Sequence, residues 1–384
     1  MRKIVFDLLY AQPLGGAQFH GGGEYIKSVF EALTERYLEK CELEVCYNPE
    51  LFLDEWILQK IHEKNLKIHN TKDIFDICAV LNLISDKENC CFFTGMIYQY
   101  EHADIPKEIL SVGVCHGLRP LEKGSDIEAW RYVHTLSGYK EIVRNSMFYK
   151  HVLQNTHRSF VKILSKFKVI VTVSQHSAFS IRLNFPELMP VLDLRVFYTP
   201  MKYSPVEQAN MNSEGSYILL VSGNRWLKNS YRAVMALDDM YQKGVLSGIR
   251  VRVYGDFPDK LRKKIKCKEN FDFYGYVSAS ELEEAYRECK VFFYPTLNEG
   301  FGLPPLEAMK YGKTCVISAV SSLPEIYGES VYYCNPYDRM EMQNRIMQAV
   351  TNPINMEIIS RQVKHIQTRQ NEDLNKLCLM LIAE

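Results

Sequence analysis

Short, nearly unbroken apolar runs alternate with amphipathic stretches along the whole chain. In the first half the runs are KIVFDLLY from Lys3, LEVCYN from Leu43, CCFFTG from Cys90, LSVGVCHG from Leu110, KVIVTVS from Lys168 and LRVFY from Leu194. In the second half they are YILLVSG from Tyr217, IRVRVYGD from Ile249, FDFYGYV from Phe271, VFFYPT from Val291, TCVISA from Thr314 and VYYCNP from Val331. Most are β-branched and aromatic without strict alternation, the pattern of strands buried on both faces of a parallel sheet. Helical patterns fall between them, such as EYIKSVFEALTERYLEK after Gly23 and SASELEEAYREC after Val277. Ser278 or Ser280 can cap the second, with Glu281 and Glu283 in its acidic first turn. Strand, helix, strand, repeated twice over, predicts two doubly wound α/β domains.

The polar stretch TPMKYSPVEQANMNSEGS, Thr199 to Ser216, holds two prolines and no apolar periodicity and reads as the interdomain linker. It divides the chain into an N-terminal domain over 1–200 and a C-terminal domain over 201–359. A helical region from roughly Asp338 to Glu384, broken near Pro353, ends the chain. In open α/β sheets ligands bind at the carboxyl ends of strands, so the strand-exit loops carry the candidate chemistry.

Composition narrows the function classes. Lys plus Arg and Asp plus Glu both number 46, so the basic excess of a nucleic-acid binder is missing. The eleven cysteines lack the short repeated spacing of a zinc site, and Cys46, Cys115 and Cys315 lie in apolar runs. They read as reduced, mostly buried thiols of a cytosolic protein. Asp7 interrupts the first apolar run, which argues against a signal peptide. No window approaches the roughly 18 apolar residues that span a bilayer, so any membrane contact is peripheral. HRSFVKILSKFK, His157 to Lys168, aligns Phe160, Ile163, Leu164 and Phe167 on one helical face, which suits either an anionic membrane or the chain's own sheet.

Four loops stand out. In LLVSGNRWLKNSYRAV a strand ends at Gly223, a turn carries Arg225 and Lys228, and a helix follows from Asn229 or Ser230. A guanidinium fork and an ammonium beside a helix N-terminus suit a diphosphate; two solvated surface charges are the plain alternative. In YPTLNEGFGLPPLEAMKYG, Tyr294 to Gly312, Gly300 and Gly302 free backbone N–H groups to approach a ligand. Leu303 and Pro304 are expected to be extended, Pro305 to start the helix, and Glu307 to lie in its first turn while Glu299 stays on the loop. The plain alternatives are a dipole-complementing acid for Glu307 and a solvated carboxylate for Glu299. GGAQFHGGGEY, Gly15 to Tyr25, sets five glycines between a strand and a helix without a dinucleotide fingerprint. His116 in VCHGLRP and Ser174 in VTVSQHSAFSI each end a buried strand, and Ser174 can cap the helix that follows.

Taken together, SGNRWLKN, FYGYVSASELEEAYRECKVFFYPTLNEGFGLPPLEAMKYG and SSLPEIYG resemble the retaining glycosyltransferases of family four, densely from about Tyr217 to Pro336. The resemblance implies the GT-B fold: two Rossmann-like doubly wound domains facing across a cleft, with the last helix, about 360–384, packing back on the N-terminal one. It implies that Arg225 and Lys228, in the turn opened by Gly223, hold the diphosphate of a nucleotide-sugar donor. Glu307 would bind ribose hydroxyls, and Glu299 would lie at the transferred sugar. Backbone N–H groups of Gly300, Phe301, Gly302 and Leu303 would hold sugar hydroxyls or phosphate. Tyr276 and Val277 would border the nucleobase, Gly22 and Gly23 would let the first loop close over the diphosphate, and His116 would approach the donor sugar. The segment Leu118 to Phe160 departs from the family pattern and is a candidate wall of the acceptor site.

The implied activity is transfer of a hexose, with retention, to a hydroxyl of a glycan or lipid-linked acceptor in cell-envelope polysaccharide biosynthesis. It needs neither metal nor cofactor, and no Asp-any-Asp motif stands in a strand-exit loop. The expected location is the cytoplasm, or the inner face of the plasma membrane as a peripheral protein. Two rivals share the resemblance: a catalytically silent nucleotide-sugar-binding or scaffold relative, and a GT-B-like sugar-nucleotide epimerase. Donor hydrolysis tests the first, and the fate of a labelled sugar tests the second.

Overall fold

The β-branched runs become the strands of two parallel sheets. The computed structural model describes residues 1–13, 20–133, 135–201 and 215–383. Gly15, Gly16 and the 202–214 part of the expected linker lie outside the described residues.

The first sheet contains β1 (Arg2–Asp7), β2 (Cys41–Tyr47), β3 (Lys67–Asn70), β4 (Cys90–Thr94), β5 (Leu110–Cys115), β6 (Val169–Thr172) and β7 (Asp193–Val196). Its order is β3-β2-β1-β4-β5-β6-β7. All pairings are parallel, with Ile4 facing Leu43 on one side and Cys91 on the other. Ile4, Val5, Phe6, Phe92 and Phe93 are fully buried, as strands covered on both faces require. β3 has no apolar run: it is a short, largely exposed edge strand, and the buried Glu44 of β2 accepts from Lys67 Nζ at 3.2 Å and contacts His69 Nε2 at 2.6 Å.

The second sheet contains β8 (Tyr217–Leu220), β9 (Arg250–Tyr254), β10 (Phe271–Tyr274), β11 (Val291–Tyr294), β12 (Thr314–Ser318) and β13 (Tyr332–Cys334). It is also parallel, in the order β10-β9-β8-β11-β12-β13. Val251, Val253, Val291, Phe293 and Val316 pack against Val234, Leu237 and Ile346 of the flanking helices. Ser278 is the cap of the helix Ala279–Glu288, and Glu281 closes a capping box with it.

The chain divides into two compact units: Met1–Leu118 with Gln154–Lys202 and Gln367–Glu384, and Arg119–Leu153 with Tyr203–Ile366. The segment 119–153 therefore lies in the second unit and not in a continuous N-terminal domain over 1–200. Its polar contacts explain this: Arg232 Nη2 donates to Asp126 at 2.9 Å, Tyr231 N to Tyr132 Oη at 2.8 Å, and Lys260 Nζ to the Val133 carbonyl at 2.7 Å. In the first unit, Gln370 Nε2 donates to the Thr199 carbonyl at 2.6 Å and ties the last helix, Met356–Ile382, to the chain beyond β7.

Two local expectations change. Gly21–Gly23 do not precede the first helix; they form its first turn, in Gly21–Arg36, where Gly23 N donates to His20 Nδ1 at 3.0 Å. A side chain that can accept at the N-cap satisfies one of the free helix N–H groups. Phe160, Ile163, Leu164 and Phe167 are all 5% exposed or less, so this face packs inside the first unit and is not offered to a membrane. Among the described residues no helix is long and apolar enough to cross a membrane.

Candidate active site

The strand order of the second sheet reverses direction at the β8/β11 pair. The loops leaving these two strands thus flank the crevice where open α/β sheets bind ligands. After β8, Gly223 N donates to the Tyr254 carbonyl at 2.8 Å. A Cβ at Gly223 would lie 2.8 Å from the Gly255 carbonyl oxygen, so glycine here lets the turn press on the exit of β9. A short 3-10 turn, Trp226–Lys228, and the left-handed Asn229 lead into the helix Ser230–Gln242. Arg225 is exposed at the start of that turn, and Lys228 points inward. The Leu227 carbonyl accepts from Leu297 N at 2.8 Å and Thr296 Oγ1 at 3.0 Å, which fastens the β11 loop to the β8 turn.

Glu299 is not a solvated loop acid. It is 7% exposed. Its Oε1 accepts from Lys228 Nζ at 2.5 Å, Tyr294 Oη at 2.7 Å and Thr296 Oγ1 at 2.9 Å. Its backbone is fixed too: Glu299 N donates to Ser321 Oγ at 2.9 Å, and Ser322 Oγ donates to the Glu299 carbonyl at 3.1 Å. Ser322 Oγ also reaches the Phe301 carbonyl at 3.2 Å, and Tyr327 Oη donates to the Gly302 carbonyl. The serines and tyrosine of SSLPEIYG thus hold the carbonyls of the loop.

The helix begins earlier than the prolines suggest. It spans Leu303–Met309, with Gly302 as a left-handed N-cap at φ +86. A Cβ on Gly302 would lie 2.5 Å from Leu323 Cδ2, so both conformation and space demand glycine. Pro304 and Pro305 occupy early positions whose N–H groups have no acceptor within a helix anyway. Leu306 N donates to Tyr327 Oη at 3.1 Å. Glu307 consequently falls beyond the first turn, half-exposed, where Lys310 Nζ donates to it at 3.0 Å.

The electrostatics follow from burial and the neighbouring charges. Burial alone would raise the Glu299 carboxyl. The Lys228 ammonium, hydrogen bonds from Lys228 and Tyr294, and the charge of Arg119 override it and hold the carboxyl below its usual range. Burial lowers Lys228; Arg225 and Arg119 add to the fall, and Glu299 opposes it. Arg119 was not singled out in the sequence; its Nε is shielded from solvent and donates no hydrogen bond. Among the described residues no group of three or more His, Cys, Asp or Glu side chains converges as metal ligands would.

The fold brings Arg225, Lys228, Glu299, the loop 300–303 and Glu307 to one sheet edge of the second unit. Tyr276 and Val277 follow β10 on the same sheet, with Tyr276 73% exposed. Gly22, Gly23 and His116 belong to the first unit. There a Cβ on Gly22 would meet Met96 Sδ at 2.7 Å, and one on Gly23 would meet the Tyr10 carbonyl oxygen at 3.3 Å. His116 Nε2 lies 2.8 Å from the Gly95 carbonyl, so that nitrogen carries the proton, and the ring meets Tyr25 edge-on. Ser174 caps the helix Gln175–Asn184, its hydroxyl accepting from Ser177 N.

Residues 206–366 match the family model of glycosyl transferases group 1. The matched stretch holds β8 to β13 and both exit loops. The chain is 34% identical over 109 residues to the serotype-specific mannosyltransferase WbdA of Escherichia coli, a match covering 27% of this chain and only 13% of that protein. Sucrose-phosphate synthase from Thermosynechococcus elongatus superposes with a TM-score of 0.69 at 13% identity over 99% of this chain and 98% of the other. Anabaena HepE in complex with UDP gives a TM-score of 0.65 at 13% identity over all of both chains. At such identity the likeness is one of fold: the two parallel sheets with their flanking helices have the GT-B fold.

Proposed function

We propose that this protein is a retaining glycosyltransferase that moves a hexose from a nucleoside-diphosphate sugar to a hydroxyl of a glycan or lipid-linked acceptor in cell-envelope polysaccharide assembly. The observation that carries the reading is the buried Glu299 carboxylate paired with Lys228 and fixed at the β8/β11 switch point, with the exposed Arg225 opening the adjoining turn. Arg225 takes the diphosphate as a fork, and Lys228 is shared between carboxylate and phosphate. Backbone N–H groups of the loop 300–303 add uncharged donors. Each well-placed donor aimed at the charge growing on the leaving diphosphate supplies about 3–4 kcal/mol. This cationic turn takes the place of a divalent ion. Glu299, held ionised, meets the positive charge that develops on the sugar, as stabiliser or as nucleophile. Glu307 takes the ribose, and Tyr276 with Val277 borders the base.

WbdA is a mannosyltransferase and HepE binds UDP, so GDP-mannose and UDP-glucose head the donor panel. The test incubates the full chain with each donor labelled in the sugar, with excess EDTA and a panel of oligosaccharide acceptors. The expected result is free nucleoside diphosphate and a labelled glycoside of unchanged anomeric configuration. A label that stays on the nucleotide in altered form points to an epimerase, and no release from any donor, even by hydrolysis, to a silent binder. Activity lost in EDTA and restored by manganese or magnesium removes the metal-independent part of the reading.

A further inference from the structure

The second unit contains a cavity of about 700 Å³ that adjoins the proposed phosphate turn and shares Arg225 with it. One wall is the segment 119–153, and the other is the turn Asn224–Leu227. We propose that this cavity is a carbohydrate subsite that holds the acceptor glycan. The inference rests on the transfer reading above and adds the acceptor's seat.

The cavity is built rather than left between loosely draped chains. Asp126 in its wall accepts from Arg232 Nη2 at 2.9 Å and pairs with Lys123 at 3.3 Å. Tyr132 accepts from Tyr231 N at 2.8 Å, which fixes its ring. Its size falls within the range of about 300–1,000 Å³ usual for small-ligand sites.

The lining selects a neutral polyol. Trp226 and Tyr132 offer aromatic faces, whose negative quadrupole attracts the C–H face of a sugar ring. Glu141 and Asn145, four apart on the helix Leu136–Met147, line the same side of the space, and the exposed Glu141 carboxylate accepts from glycan hydroxyls. Arg225 ties the cavity to the reaction: it lines the space, and its charge also acts on Lys228 and Tyr294 of the Glu299 cluster. The occupant therefore sits beside the phosphate turn.

The chain has three tryptophans, Trp56, Trp130 and Trp226, so fluorescence reports binding. Mannotriose, maltotriose and lactose are titrated into the full chain, without and with saturating GDP or UDP. The expected result is a fluorescence change with at least one sugar that survives the nucleotide and vanishes in Trp226→Phe. Its apparent Kd should rise about tenfold in Glu141→Gln. Glu141 is exposed, so Glu141→Gln leaves the fold intact. No response to any of the three sugars overturns the proposal. So does a response that the nucleotide abolishes, which places the sugar in the donor site, or one that Glu141→Gln leaves unchanged. The two readings fail separately. Sugar binding here without any labelled transfer defeats the transfer reading alone. Transfer whose acceptor KM is unchanged by Glu141→Gln defeats the subsite alone.

Discussion

Two buried carboxylates stand at strand exits beside a switch point, one in each sheet. Asp7 is the last residue of β1 and is fully buried; Glu299 follows β11 and is 7% exposed. Asp7 accepts from Thr94 Oγ1 at 2.7 Å, Tyr100 Oη at 2.8 Å and Leu9 N at 2.9 Å. Glu299 likewise accepts from a tyrosine and a threonine, and in addition from the Lys228 ammonium. The outcomes are opposite. Burial raises the Asp7 carboxyl to about 6 despite its three donors, while Glu299 is held below its usual range. At Asp7 three neutral donors do not offset desolvation, whereas at Glu299 the adjacent ammonium does. Asp7 ties β1 to β4 and tolerates a proton; Glu299 keeps its charge where a substrate can use it.

The sharpest way to break this contrast is to remove the cation. In Lys228→Met, Glu299 becomes a second Asp7 with fewer compensations. Leaving one partner of a buried pair uncompensated costs about 3–5 kcal/mol, so urea unfolding at neutral pH should show a loss of that order. A loss below about 1 kcal/mol would mean that the pair behaves as a solvent-screened surface contact.

Glu299→Gln removes the charge but keeps an oxygen for Tyr294 and Thr296. The fold should survive, and kcat should fall at least about a hundredfold, roughly 2.7 kcal/mol of transition-state stabilisation. Steady-state kinetics beside a melting curve make the measurement. A near-normal kcat takes Glu299 off the catalytic list.

Asp7 gives the pH arm of the comparison. Its folded pKa is raised from 3.8 to about 6, so the folded chain binds more protons than the unfolded one in that window. Its contribution is therefore full below the unfolded value and is lost as pH rises toward 6, by about 2–3 kcal/mol for a shift of this size. Glu299 has the opposite sign: its contribution is present above the usual carboxylate range and is lost as pH falls through its depressed value. Melting temperatures of wild type minus Asp7→Asn should fall between pH 4 and 6 and level off above. A flat difference would show that Asp7 is ionised throughout.

Where the sequence was legible, one element carried its own signal. Buried parallel strands are apolar on both faces, so their runs announced nearly every strand. β3 was hidden because Lys67–Asn70 is an exposed edge strand held by polar contacts to Glu44. The two exit loops were legible from glycine, proline and charge. That Lys228 and Glu299 touch was not, because 71 residues separate them and only the pairing of β8 with β11 joins their loops. The helix start was misplaced because proline is tolerated at early helical positions and the left-handed Gly302 makes the turn by itself. The part of Arg119 and the placement of 119–153 were invisible because both depend on residues 99 or more positions downstream.

The smallest expected effect concerns the second carboxylate of the β11 loop region. Glu307 shares with Glu299 a short stretch of chain and nothing of its environment. Its side chain is 34% exposed, and the pair with Lys310 at 3.0 Å is a local helix contact. Such pairs are worth about 0.3–0.5 kcal/mol, and outside the first turn no helix-dipole gain is added. Glu307→Gln should therefore shift the melting curve little. Its proposed partner, a ribose hydroxyl, is bound equally before and during transfer. Loss of such uniform binding raises KM and leaves kcat nearly unchanged, by about tenfold in KM for one charge-assisted hydrogen bond. Donor KM and kcat measured at saturating acceptor decide the matter. A kcat loss equal to that of Glu299→Gln would refute the division of labour between the two acids. An unchanged donor KM would return Glu307 to the role of a helix acid whose partner is Lys310.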